Sequence, residues 1–169
     1  DNAEGIKLGT IEMSWLDTGT VGIHYPKSAV TGLPFIFRDY DHVEKFFDGP
    51  VSQSINDGLV KAANVRFLQW CHAGFRTFVT KKPIAKPDDM KMMKMRVPEI
   101  TVYVNTMKAL GANPTPIPFG EIYTALQTGV VEGAEGPNEA HFTSKFYEVA
   151  KYITCLLYTS PSPRDRQKS

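Results

Sequence analysis

Branched and aromatic residues crowd into short runs at Val65 to Cys71 and Phe75 to Thr80, the pattern of strands. From His42 to about Ala63 apolar residues instead recur three or four positions apart, the pattern of helix. Asp48-Gly49-Pro50 interrupts that stretch, so it predicts two helices, one with Val43, Phe46 and Phe47 on a face, the other with Val51, Ile55, Leu59 and Ala62. Asp39 or Asp41 can cap the first of them. Ahead of this, Ile11 to Leu16 is strand-like, and Asp17 to Gly22 supplies turn formers before the loop that leads to Gly32-Leu33-Pro34-Phe35-Ile36-Phe37. His72-Ala73-Gly74 separates the two later strands and predicts a crossing point between lobes.

In the second half the period switches repeatedly. Lys86-Pro87-Asp88-Asp89-Met90 is a helix-start signal whose aspartates are expected as caps, and Lys94 to Val97 is a strand. Ile100 to Leu110 is an amphipathic helix with Tyr103, Met107 and Leu110 on one face, ended by Gly111. Prolines at alternate positions from Asn113 to Pro118 favour an extended strand. Glu121 to Gln127 is a second helix closed by Gly129, Val130 to Glu135 a strand, and Asn138 to Lys145 another helix. Strands alternating with short helices predict an α/β fold with a mixed or parallel sheet.

With 169 residues, 42% hydrophobic and 22% charged, the chain has an ordinary globular composition. Its net charge of +1, spread evenly, leaves no basic stripe for nucleic acid. Cys71 and Cys155 cannot make a disulfide framework, and Cys71 is expected as a small buried thiol. No apolar run is long enough to cross a membrane as a helix. The chain opens at Asp1 without an initiator methionine and is expected to be a fragment. From about Cys155 onward it fits nothing before it. From that point it resembles assembly or vector read-through, and the tail 155–169, with its low-complexity end Ser160 to Ser169, is expected to be disordered.

Catalytic patterns do not emerge. There is no G-x-S-x-G elbow, no Walker loop, and no dinucleotide spacing among Gly129, Gly133 and Gly136. His24, His42, His72 and His141 are scattered without metal-ligand partners and are expected on the surface or in the core. Cys71 and His72 would point to opposite faces of a strand. Glu132 and Glu135, three apart, are expected to be solvated or in cap contacts. These patterns predict no enzyme, no metal and no cofactor.

The ordered series Lys94-Met95-Arg96-Val97-Pro98, the helix closing on Gly111, the proline-rich turn and Phe119-Gly120-Glu121-Ile122-Tyr123 through Gly133-Ala134-Glu135 resembles the solute-binding proteins of tripartite ATP-independent periplasmic (TRAP) transporters, the DctP family. The resemblance spans roughly residues 5 to 154. It implies a two-lobed, periplasmic-binding-protein-like α/β fold, with residues 1–74 part of one lobe, 75–154 most of the second, and 155–169 the tail. It also implies a function: capture of a small organic acid between the lobes in the periplasm, closure like a hinge, and delivery to a TRAP permease.

By residue, the resemblance puts the carboxylate-binding arginine of the family's K-x-R-V-P segment at Arg96. By pattern alone Arg96 is a solvated position alternating with Met95 and Val97, yet a guanidinium fork suits a carboxylate. Arg76 matches a second arginine of the pocket, and Phe119 matches an apolar wall, with plain core packing as the alternative. Trp15 and Asp17 fall where side chains reach the ligand from the first lobe, although a turn also favours Asp. Many relatives carry asparagine after Gly133-Ala134-Glu135, where this chain has Gly136. The glycine either makes room for a bulkier ligand or presents a backbone N–H. Two other classes stay open at this point: the ligand-binding ectodomain of a sensory receptor, and an enzyme that clamps its substrate with Arg96.

Overall fold

The computed structural model describes residues 2–34, 36–71, 74 and 76–155. The chain divides into two compact units, Asp1–His72 and Ala73–Ser169.

The first unit is helical: α1 (Asn2–Leu8), α2 (Thr18–Val21), a 3-10 segment Pro26–Gly32, α3 (Tyr40–Phe47) and α4 (Pro50–Ala63). The break at Asp48-Gly49-Pro50 separates α3 from α4 as the sequence predicts, because Pro50 starts a helix well and cannot continue one. Asp39 caps α3, accepting the His42 N–H at 2.8 Å. Val21, Leu59 and Ala63 form the buried core, with Tyr25, Val65 and Phe67 against it.

Two expected strands of this unit are not strands. Ile11 to Leu16 and Val65 to Cys71 run outside helices with no ladder bonds, and they line a groove of about 700 Å³. Alternation gives a segment one apolar side, but a strand forms only where a neighbour takes its backbone groups, and among the described residues none does so. A side chain substitutes at one point: the Asn56 amide accepts the Phe67 N–H at 2.9 Å and donates to its carbonyl at 3.1 Å. Without a sheet over it, Cys71 is exposed rather than buried, beside the Trp15 indole N–H.

The second unit is built on a five-stranded sheet in the order β3-β2-β4-β1-β5, from β1 (Arg76–Thr80), β2 (Lys94–Val97), β3 (Asn113–Pro116), β4 (Gly133–Pro137) and β5 (Tyr152–Cys155). β2 pairs in parallel with β3 and β4, while β1 runs antiparallel to β4 and β5, so the sheet is mixed. The β3 prolines, Pro114 and Pro116, lie on the edge strand, where Asn113 and Ile117 donate towards β2 and the missing N–H groups face away from it.

Three helices pack on the sheet: α5 (Thr101–Ala109), α6 (Ile122–Thr128) and α7 (Asn138–Thr143). Gly111 and Gly129, at φ 79° and 80°, reverse the chain after α5 and α6 as the sequence predicts. One face of the sheet buries Phe78, Met95 and Val97 under Tyr103 and Met107 of α5. The other buries Val79 and Ala134 under Ile122, Leu126 and Phe146. The Asp89 carboxylate accepts the Ala85 and Lys86 N–H groups, the expected cap. His72 and Ala73 of the expected crossing point, Phe75 at the start of an expected strand, and the tail beyond Cys155 lie outside the described residues.

Candidate functional site

β2, β3 and β4 are parallel and β1 runs against them, so their register brings one end of each strand together. The carboxyl ends of β2, β3 and β4 meet the start of β1, with Arg76 opposite Pro137. Such carboxyl ends are where open α/β sheets hold ligands. Arg96, Arg76, Gly136 and, just past β3, Phe119 all lie at this end. Trp15 and Asp17 belong to the first unit. There Trp15 is exposed on the groove, and Asp17 Oδ1 accepts the Gly19 N–H at 2.7 Å, as a residue opening α2 should.

The two arginines lie on opposite faces. Arg96 is level with Ala134, which is level with Val79, so its side chain shares their face. Arg76 shares the face of Phe78 and Glu135. That face supplies a partner: Arg76 Nη2 donates to Glu135 Oε1 at 2.8 Å, and Nε to Oε2. The guanidinium also lies 4.5 Å from the centre of the Tyr103 ring. Glu135, expected to be solvated or in a cap contact, is instead fully buried in this bidentate pair. The reason is register: position 135 is level with Phe78, inside the core and a rung away from Arg76.

Among the described residues Arg96 forms no such ion pair. It is 5% exposed, and its Nε donates to the Ile117 carbonyl at 2.8 Å. Among the described residues no acceptor faces its two terminal nitrogens. Burial pushes the guanidinium down to about 10, with Glu135 opposing and Arg76 adding to the shift, so it stays charged at neutral pH. Pattern alone makes Arg96 a solvated position; the sheet buries it, because α6 and the turn after β3 cover that face. A buried cation with an open fork is matched by a carboxylate.

Phe119 and Gly136 lie at the same end of the sheet as Arg96. Phe119, 54% exposed, stands two residues past the Ile117 carbonyl that orients Arg96, with its ring 6.1 Å from that of Phe146. Gly136 is buried on the Arg96 face, and a Cβ there would meet the His141 ring at 3.3 Å. Sequence reasoning placed His141 only on the surface or in the core; it is 2% exposed and bonded to the Thr77 carbonyl at 3.3 Å. Burial holds its imidazole below the usual range, against the Thr77 carbonyl and the Glu135 charge. Its position after Gly136 and Pro137, at helical spacing from Asn138, was the available signal.

The chain matches the bacterial extracellular solute-binding protein family 7 (DctP) over residues 1–156. It is 34% identical over 148 residues to the sialic acid-binding periplasmic protein SiaP of Vibrio cholerae, covering 88% of this chain and 46% of that protein. Among solved structures it resembles a TRAP periplasmic solute-binding protein of Sulfitobacter sp. NAS-14.1 with bound β-D-galacturonate, at TM-score 0.87 and 31% identity over 90% of this chain and 51% of that one. It also resembles one of Sulfurospirillum deleyianum with bound succinate, at TM-score 0.84 and 38% identity, with 90% and 49% covered. The chain thus spans about half the length of the relatives it matches.

Proposed function

Because this chain belongs to the family 7 bacterial extracellular solute-binding proteins, we propose that it captures a small organic acid through Arg96 and hands it to a TRAP-type permease. The observation that carries this reading is the Arg96 guanidinium, 5% exposed and charged, with its terminal nitrogens uncommitted among the described residues. A ligand carboxylate can accept from both nitrogens and neutralise the charge. Phe119 supplies an apolar wall. Arg76, held by Glu135, fixes the neighbouring strand ends and adds positive field rather than a second open fork. The anion is assigned to the guanidinium, whose planar fork of donors matches both carboxylate oxygens. That relatives are named as periplasmic supports a working site outside the cytoplasm. The proposed role is capture and release, without turnover.

The test is a thermal-shift panel on the full-length gene product with succinate, D-galacturonate and N-acetylneuraminate, run beside Arg96→Ala. A ligand that binds only the native state raises the midpoint. A shift that disappears in Arg96→Ala supports the assignment. A shift that survives the substitution contradicts it.

A further inference from the structure

Along the sequence the charge is spread evenly, but the fold of the second unit gathers lysines at the end of the sheet away from Arg96. There the amino ends of β2, β3 and β4 meet the carboxyl end of β1 and the start of β5. Thr80 is level with both Gly133 and Tyr152, and Lys94 with Asn113. Lys94 opens β2, Lys81 and Lys82 follow β1, Lys151 precedes β5, and Lys91 and Lys108 lie beside Gly111. Contacts between the loops make these positions one surface. The Lys81 N–H donates to the Glu132 carbonyl at 2.9 Å, the Glu132 N–H to the Lys94 carbonyl at 2.8 Å, and the Met92 N–H to the Gly111 carbonyl at 2.8 Å.

The acids at this end do not balance the lysines. Glu132 pairs with Lys82 at 3.0 Å and Asp88 with Lys91 at 2.8 Å. Asp89 is committed to the Ala85 and Lys86 N–H groups. Among the described residues Lys81, Lys94, Lys108 and Lys151 form no ion pair. Apolar side chains stand out among them: Met92 is 78% exposed and Val130 52%. Met92 has φ 60°, a left-handed conformation that side chains disfavour. The turn between Lys91 and Lys94 thus sustains strain while it presents an apolar side chain to solvent.

The residue types point to the occupant. The arginines in the described part of the second unit, Arg76 and Arg96, both lie at the other end, where planar forks give fixed geometry. Here the cations are lysines, hydrated point charges on flexible stems that prescribe no geometry. Protein interfaces are depleted in lysine and enriched in arginine and aromatic residues, so this surface is a poor match to a folded partner. Bilayer phosphates are laterally mobile anions without a fixed pattern, and exposed apolar tips can enter the headgroup layer beside them. We infer that this end of the sheet is a docking surface for an anionic phospholipid bilayer, drawn by the lysines, with Met92 and Val130 entering the interface. The inference does not depend on what Arg96 holds. Docked in this way, the second unit keeps its Arg96 end turned away from the lipid, and the protein is concentrated at a membrane with that end free for capture.

The experiment is co-sedimentation of the mature full-length gene product with vesicles of phosphatidylglycerol and phosphatidylethanolamine, and with vesicles of phosphatidylcholine alone. Binding to the anionic vesicles is expected to exceed binding to the neutral ones, and to fall at least about tenfold between about 50 and about 300 mM salt. Lys81→Glu combined with Lys94→Glu should lower the partition coefficient at least about tenfold. Met92→Gly removes the apolar tip and relieves the left-handed strain, so it folds at least as well, and it should lower the coefficient about threefold. Carboxylate binding in calorimetry should stay within about twofold in these variants, which separates this surface from the Arg96 site. No binding to the anionic vesicles, equal binding to both kinds, or undiminished binding in the lysine variant or in Met92→Gly would overturn the inference. Retention by an acidic peptide such as polyglutamate, with none by vesicles, would assign the surface to a protein partner and overturn it equally.

Discussion

The two faces of the second unit's sheet each hold an arginine at the same end, Arg76 half-buried and Arg96 buried, and they treat it in opposite ways. On the α5 face Arg76 is closed by Glu135 and stacked near Tyr103. On the α6 face Arg96 is more deeply buried, yet among the described residues it finds only the Ile117 carbonyl. A saturated pair has no further demand on its surroundings and serves architecture. A buried cation without its anion is a standing demand for one, and the desolvation already sustained by the folded chain is offset only when a ligand arrives.

If Glu135 is architecture, Glu135→Ala should lower unfolding stability by about 2–3 kcal/mol, because it removes the buried counter-charge of the half-buried Arg76. Denaturant melts read this directly, and an unchanged midpoint would break the contrast. Arg96→Ala should cost less stability than that change. It should weaken carboxylate binding by about 2–5 kcal/mol, roughly thirtyfold or more, in titration calorimetry. Arg96→Lys keeps the charge but loses the planar fork, and a loss of roughly tenfold is expected, intermediate between the wild type and Arg96→Ala.

The smallest effect concerns acid. The His141 pKa is depressed in the folded state, mainly by burial and also by the Arg76 charge, with the Thr77 and Gly136 carbonyls and Glu135 opposing. The unfolded chain therefore takes up a proton first as the pH falls. Stability is unaffected by this group well above the unfolded value of about 6.5, and declines as the pH drops below it towards the folded value. A decline is expected in melts taken between pH 7 and 5, flattened by His141→Phe. Stability rising towards acid would show that the Glu135 and carbonyl contributions outweigh burial.

The sequence marks the second unit more clearly than the first, for a physical reason. Gly111, Gly129 and the Lys94 to Val97 run act locally, through backbone conformation and side-chain period, so β2, α5, β3 and α6 were legible to within a residue or two. Ile11 to Leu16 and Val65 to Cys71 carry the same local pattern, but a ladder needs a partner that local pattern does not name. The site divides similarly. Arg96 was found as a residue type in a motif. Its burial, the Glu135 pair across 59 positions and the unpaired His141 nitrogen depend on register between distant strands, which no local spacing encodes.

The most direct test of an open, buried cation is to remove the ligand's charge and leave its shape. Titration of the full-length gene product with D-galacturonate and with its uncharged primary amide, in wild type and Arg96→Ala, isolates that charge. The amide is predicted to bind at least roughly a hundredfold more weakly to the wild type, and the difference should collapse in the variant. Equal affinity of the wild type for acid and amide would contradict the account.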